Sequence, residues 1–194
     1  MVTKMGPLEL PENVIIGEDV ILGHPGKEDI GCLKDKDFDR LPKTTIGEGS
    51  VIRDFTVIYA GVEIGARVRT GHNVLIREYC NIGDDCTIGS GSIVEDRCSI
   101  GEDVSLQSDV FLSTGTTVKK GVFIGPGVCI TNDKKMDSDL QPVVIEEGAK
   151  IGANSTILAG VSVGKNSVIG AGSVVSKDVP DGALVYGVPA KKQD

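Results

Sequence analysis

Two histidines, five cysteines and a group of lysines near the end are the residues of this chain from which chemistry could be built. His72 stands in the stretch RTGHNVLIRE, where a neutral imidazole is suited to taking a proton at pH 7, so it is a candidate general base. His24 lies among charged residues with no motif around it. A catalytic zinc held by histidines alone needs three of them, and this chain has two, so no metal site is expected. The cysteines (Cys32, Cys80, Cys86, Cys98 and Cys129) are odd in number and form no CxxC pair, which predicts reduced thiols used as small core filler. The net charge of -8 argues against nucleic acid or an anionic membrane as the main partner. That excess lies entirely before Ile145. From there on, five Lys balance five Asp and Glu, so an anionic ligand is better tolerated in the C-terminal part than elsewhere.

The elements that must position these residues follow a repeat of six. Stepping from Ile46 gives Ile52, Ile58, Ile64, Thr70, Ile76, Ile82, Ile88 and Val94, and the column continues to Ile130 with Thr70 as its one polar break. Four residues after each aliphatic comes a small or β-branched side chain, as at Ser50, Thr56, Val62, Val68, Val74, Cys80, Cys86, Ser92 and Cys98. The small residue and the next aliphatic are two apart, so on a strand they face the same way. The residues between form a turn. Gly commonly follows the aliphatic, as at Gly47 and Gly65, and is expected there for its access to positive φ. Three such hexads close a triangular coil of 18 residues, and coils stack at roughly 4.8 Å as parallel strands. The fold class is therefore all-β, a parallel β-helix. The scarcity of aromatics, 4% with no Trp, suits its narrow core.

Two segments break the array. Leu10, Ile16 and Leu22 are in phase with Ile46, but charged residues fill the slots between, so 10–22 reads as an N-terminal coil and 23–45 as an excursion. The main coils run over 46–130. A change of phase before Ile145 marks 131–144 as an inserted loop, followed by C-terminal coils over 145–180 and a tail over 181–194. The outward positions distinguish three faces within a single domain. One reads Val57, Leu75, Ile93, Phe111 and Cys129, a continuous apolar ladder that predicts self-association about a threefold axis. The other two are polar or mixed.

The closing stretch GANSTILAGVSVGKNSVIGAGSVVSKDVPDGALVYGVPAK, together with the repeat, resembles the hexapeptide-repeat acyltransferases. That resemblance implies a left-handed coil, a homotrimer, and coenzyme A bound between the C-terminal coils of adjacent subunits. It places pantetheine beside the corners Gly152, Ala153, Gly170 and Ala171, with Lys177, Lys191 and Lys192 near the nucleotide phosphates. The stretch FIGPGVCITNDKK is similar to the active-site segment of nucleotide-sugar amino N-acetyltransferases. There the Asn beside the sugar amine and the thioester corresponds to Asn132. Those enzymes often continue with an aromatic and Pro-Arg where Lys134, Lys135 and Met136 stand here, which leaves the sugar open. RTGHNVLIRE in turn resembles a His-Asn-Val stretch of lipid A precursor N-acyltransferases, whose His is a proposed base. Asn132 and His72 are thus two alternative centres, roughly 15 Å apart along the coil axis.

The resemblance points to acetyl transfer from acetyl-CoA to the amino group of a nucleotide-linked amino sugar, in the cytoplasm, without a metal or a membrane span. The alternatives are a sugar O-acetyltransferase and a non-catalytic β-helix assembly subunit. The absence of an apolar leader segment in the first ten residues favours the cytoplasm as an expectation.

Overall fold

The computed structural model describes residues 1–137 and 139–193. Ser138, within the expected inserted loop, and Asp194, at the end of the expected tail, lie outside the described residues. Short strands, most of two residues, stack into three sheets of nine, eight and ten strands. These sheets are the three sides of one prism, here called faces A, B and C in the order the chain visits them. The stacking register is 18 residues, with Leu75 opposite Ile93 and Ile93 opposite Phe111 on face A. Asn81 is opposite Ser99 on face B, and Thr87 opposite Ser105 on face C.

Both inward columns are buried. Ile52, Ile58, Ile76, Ile88, Leu106, Leu112, Ile124 and Ile130 have no exposed surface, and each contributes on the order of 1.5–3 kcal/mol by burial. Thr70 is tolerated because its hydroxyl accepts the Arg53 N–H at 2.9 Å. Cys80, Cys86 and Cys98 fill small inward positions, and all five cysteines are free thiols. Burial pushes the Cys86 thiol up to about 11, so it is not a nucleophile at neutral pH.

The corner glycines serve a different purpose from the expected one. Positive φ falls two residues later, at Gly49, Phe55, Gly61, Arg67, Asn73 and Tyr79, once per hexad. Gly47 has an ordinary φ, but a Cβ there would lie 2.4 Å from the Gly65 carbonyl carbon one coil away. Coil-to-coil contact, not turn conformation, is what requires glycine at that position.

The coils also begin earlier than expected. Strand Thr3–Lys4 pairs with Ile21–His24, so the first coil starts at Thr3. Lys4 fills an aliphatic slot there and is exposed, because the end of the prism opens to solvent. Across the excursion Ile21 pairs with Val57, 36 residues on, so 18 residues are added and the phase is kept. Across the second insertion Cys129 pairs with Thr156, 27 residues on, so nine are added and the phase shifts. Residues 181–193, read from the sequence as a tail, continue the coil: Leu184–Gly187 pairs in parallel with Val168–Ile169, then turns back into antiparallel Ala190–Lys192.

Candidate active site

Three edges join the faces, and the candidate residues divide between two of them. His72 lies on the C–A edge, its Nδ1 3.4 Å from Asp54 Oδ2 and its backbone N–H donating to Ser90 Oγ at 3.1 Å. Higher on the same edge are Gly152, Ala153, Gly170 and Ala171. Gly152 is stacked so closely on Ala171 that a Cβ would lie 2.5 Å from the Ala171 nitrogen. Ala171 is exposed and Ala153 half-buried, leaving a strip with no side chain larger than methyl at these positions.

Asn132 lies on the A–B edge, at the start of the inserted loop. Its carbonyl accepts the Gln141 N–H at 2.6 Å, and Thr131 Oγ1 accepts the Ala159 N–H at 3.0 Å, pinning the loop base to the next coil. Asn132 and the Gly–Ala corners are therefore separated within one chain by the width of face A. His72 is three coils below the level of Asn132, about 14 Å along the axis. Lys177, Lys191 and Lys192 are brought together around a 340 Å³ groove at the C-terminal mouth of the prism, floored by Val175, Val179 and Val185.

A group of charged residues not singled out from the sequence occupies the A–B edge below Asn132. Both insertions leave the prism at this edge and bracket a cleft of about 520 Å³. Arg77, Glu78, Glu95, Asp96, Arg97 and Thr114 form its wall, with Lys27 and Glu28 of the excursion and Leu140 of the loop at its rims. Arg77 donates to Glu78 at 3.0 and 3.1 Å and to Glu95 at 2.9 Å. Glu78, only 6% exposed, also accepts the Lys27 N–H at 3.2 Å. Burial alone would raise the Glu78 pKa, but the bonds from Arg77 and the backbone hold it below the usual carboxylate value. Thr114 donates to Asp96 at 2.7 Å, and Arg97 spans Asp96 and Glu28. His24 packs on Tyr59 at 4.7 Å between ring centroids, and its Nδ1 lies 2.9 Å from the Pro25 carbonyl, a contact made by the Nδ1–H tautomer. The sequence signal was available in the charged corner column Arg77–Glu78 and Glu95–Asp96, read every 18 residues beside the two insertions.

Among the described residues no group of three His, Cys, Asp or Glu is placed to hold a metal, and no helix is long and apolar enough to cross a membrane.

The family model for the GMPPB C-terminal domain matches residues 40–140, just over half of the chain, and that for the hexapeptide repeat of succinyl-transferase matches 142–177. The chain belongs to the hexapeptide-repeat proteins, its central coils in the GMPPB C-terminal domain family. This hexapeptide-repeat chain is similar to the 2,3,4,5-tetrahydropyridine-2,6-dicarboxylate N-acetyltransferase of Halalkalibacterium halodurans, 44% identical over 128 residues that cover 66% of this chain and 52% of that protein. The protein of the same name from Staphylococcus carnosus is 49% identical over 75 residues, 39% of this chain and 31% of that one. The chain thus spans about half, or less, of the length of these relatives. A solved hexapeptide-repeat acetyltransferase from Vibrio cholerae, complexed with acetyl coenzyme A, is 29% identical with a TM-score of 0.48, covering 64% of this chain and 68% of that one.

Proposed function

We propose that this hexapeptide-repeat protein is a homotrimeric acetyl-CoA-dependent N-acetyltransferase whose sites form between copies. The observation that carries the reading is the division of candidate residues between the two edges of one apolar face. On face A, Ile21, Val57, Leu75, Ile93, Phe111 and Cys129 stand in register and are half-buried in a single chain. If that face lies toward a threefold axis, the A–B edge of each copy meets the C–A edge of the next. Asn132 of one copy then faces the methyl-floored strip at Ala153 and Ala171 of its neighbour. Neither edge is a site alone.

Acetyl-CoA lies along that strip with its thioester toward Asn132, and the acceptor enters from the cleft below. The amine nitrogen bonds to the acetyl carbon, the carbon–sulfur bond breaks, and coenzyme A leaves as the thiolate. The amine sheds one proton to solvent. A neutral amine already carries its lone pair, so orientation by Asn132 matters more than deprotonation. The acceptor read from the Thr-Asn segment is the amino group of a nucleotide-linked amino sugar. The N-acetyltransferase relatives support transfer to nitrogen but favour a second acceptor, a small dicarboxylate. The unpaired thiols and the acetyl-CoA donor fit a cytoplasmic setting.

Mixing two inactive variants tests the reading. Asn132→Ala damages one edge and Ala153→Trp the other, and random co-assembly leaves about a quarter of the sites intact. Restored turnover in the mixture supports a site between copies; two silent parents and a silent mixture overturn it. A panel of amino sugar nucleotides, amino dicarboxylates and hydroxyl-only sugars assigns the acceptor. Reaction of the hydroxyl sugars alone would replace N-transfer with O-acetylation.

A further inference from the structure

Below Asn132 the cleft offers a ligand lone pairs, while the guanidinium groups in its wall are spent on neighbouring carboxylates. All three guanidinium nitrogens of Arg77 are bonded to Glu78 or Glu95, and both terminal nitrogens of Arg97 to Asp96 or Glu28. Thr114 gives its hydroxyl proton to Asp96, so toward the cleft it can only accept. Glu95 and Asp96 are acceptors by nature, with 23% and 13% of their side chains exposed. The four carboxylates of the cleft (Glu28, Glu78, Glu95 and Asp96) outnumber its three cations (Lys27, Arg77 and Arg97) by one. Its open side follows from the coil levels. His72 lies on the same coil as Arg77 and Glu78, with strand Leu75–Ile76 of face A between them. Rotation about a threefold axis parallel to the prism keeps levels, so His72 of one copy comes opposite the Arg77–Glu78 corner of the next. Its ring is 55% exposed, and Nδ1 faces Asp54, which leaves Nε2 for a ligand. The two C–A corners above it, 89–92 and 107–110, contain no Lys or Arg.

From this arrangement we infer that the acceptor is a hydroxyl-rich amine of two linked rings, reaching from Asn132 to His72 of the neighbouring copy, and that Asp96 and His72 set that specificity. This rests on the reading of N-acetyl transfer between copies and chooses between its two acceptors. The span is about 14 Å along the axis, three coil spacings. An amino sugar joined to a second hydroxyl-bearing ring, the ribose of a nucleotide or another sugar, fills it. An extended chain covers about 1.2 Å per bond, so a small dicarboxylate reaches only about half of the way. Hydroxyl groups donate to the cleft carboxylates and to Nε2 of a ring whose proton is on Nδ1. A second carboxylate on the ligand would instead add charge to a cleft already in negative excess.

The test is steady-state kinetics at saturating acetyl-CoA with four kinds of amine: UDP-sugars aminated at C2, C3 or C4, a disaccharide of glucosamine, the single amino sugars, and 2-aminoadipate. A two-ring amine should have the highest kcat/KM, and whether the UDP-sugars or the disaccharide lead identifies the second ring. His72→Phe keeps a ring on the edge and removes its nitrogens. It should raise the KM for the preferred two-ring amine about fivefold, the loss of one hydrogen bond, without raising that for the single sugars. Asp96→Asn removes the charge and should lower kcat/KM for the sugars while raising it severalfold for 2-aminoadipate. Thr114→Val breaks a bond to Asp96 but keeps the charge, so it should not admit 2-aminoadipate; if it does, Asp96 acts only through structure and the inference fails. It fails as well if wild-type protein acetylates 2-aminoadipate as efficiently as any sugar amine. A His72→Phe KM for the preferred two-ring amine within about twofold of wild type also overturns it. A wild-type protein that binds acetyl-CoA and acetylates none of the amines overturns the N-transfer reading, and the inference falls with it.

Discussion

The two insertions leave the same edge of the prism yet are held by different physics. The excursion has its own small core: Cys32, on the short helix Gly31–Asp35, packs with Leu41, Phe38 and Ala60. It is also clasped by the Lys27 N–H on buried Glu78 and by Glu28 on Arg97. The inserted loop has no such core among its described residues. Met136 is 93% exposed and Leu140 51%. Its shape comes from Asp133 Oδ1, which accepts N–H groups from Lys135, Met136 and Asp137 at 3.1, 2.6 and 3.3 Å, and from a bridge between Asp133 and Leu140. An apolar anchor resists opening, whereas exposed local hydrogen bonds exchange easily with water. The excursion is thus a fixed wall of the cleft, and the loop beside Asn132 is the part able to rearrange.

The largest effect expected from this contrast is at Leu41. Leu41→Ala should cost the excursion about 2–3 kcal/mol, seen as lost hydrogen-exchange protection over 24–43 with the main coils unaffected. If protection is lost evenly along the prism, the excursion is not a separate unit.

Next comes the clasp. Glu78→Gln should loosen the same segment by about 1–2 kcal/mol, less than a fully buried pair because Arg77 remains partly in water. Acid should mimic it. The folded Glu78 pKa lies below its ordinary value of 4.5, so the contribution is complete above that value. It is then lost as pH falls through the lower folded value. Exchange over 24–43 that is unchanged from pH 6 to pH 3 would refute the clasp.

The loop should respond in the opposite sense, little in stability and much in rate. Asp133→Ala removes the acceptor that shapes the turn. It should shift global stability by under ~1 kcal/mol yet lower turnover about tenfold by misplacing Asn132. An Asp133→Ala protein with wild-type turnover would show that loop shape and chemistry are not linked. Smallest of all, Met136→Gly relieves a left-handed φ of +58° on an exposed side chain. It should raise the unfolding free energy slightly, by about 0.5 kcal/mol at most, seen as a small rise in melting temperature, and leave kcat unchanged.

By itself the sequence determined what repeats: the 18-residue coil, the two inward columns, the apolar ladder and the two places where the array is interrupted. Every contact between residues i and i+18 is written into the chain many times, so the pattern is legible without knowing any one contact. The candidate site was legible in part. Asn132, His72, the Gly–Ala corners and the terminal lysines came from motif resemblance, and the 18-residue period then assigns Asn132, His72 and the corners to their edges. What only the tertiary structure decided are the contacts made once. Lys27 meets Glu78 across 51 residues, the excursion builds a core around Cys32 and Leu41, and the last coil folds back to set Lys191 beside Tyr186. The role of the corner glycines also waited for it, since Gly47 is required by the backbone of the next coil and not by its own φ. A periodic pattern specifies periodic contacts; the aperiodic ones depend on how each insertion packs back onto the prism, and no period encodes that.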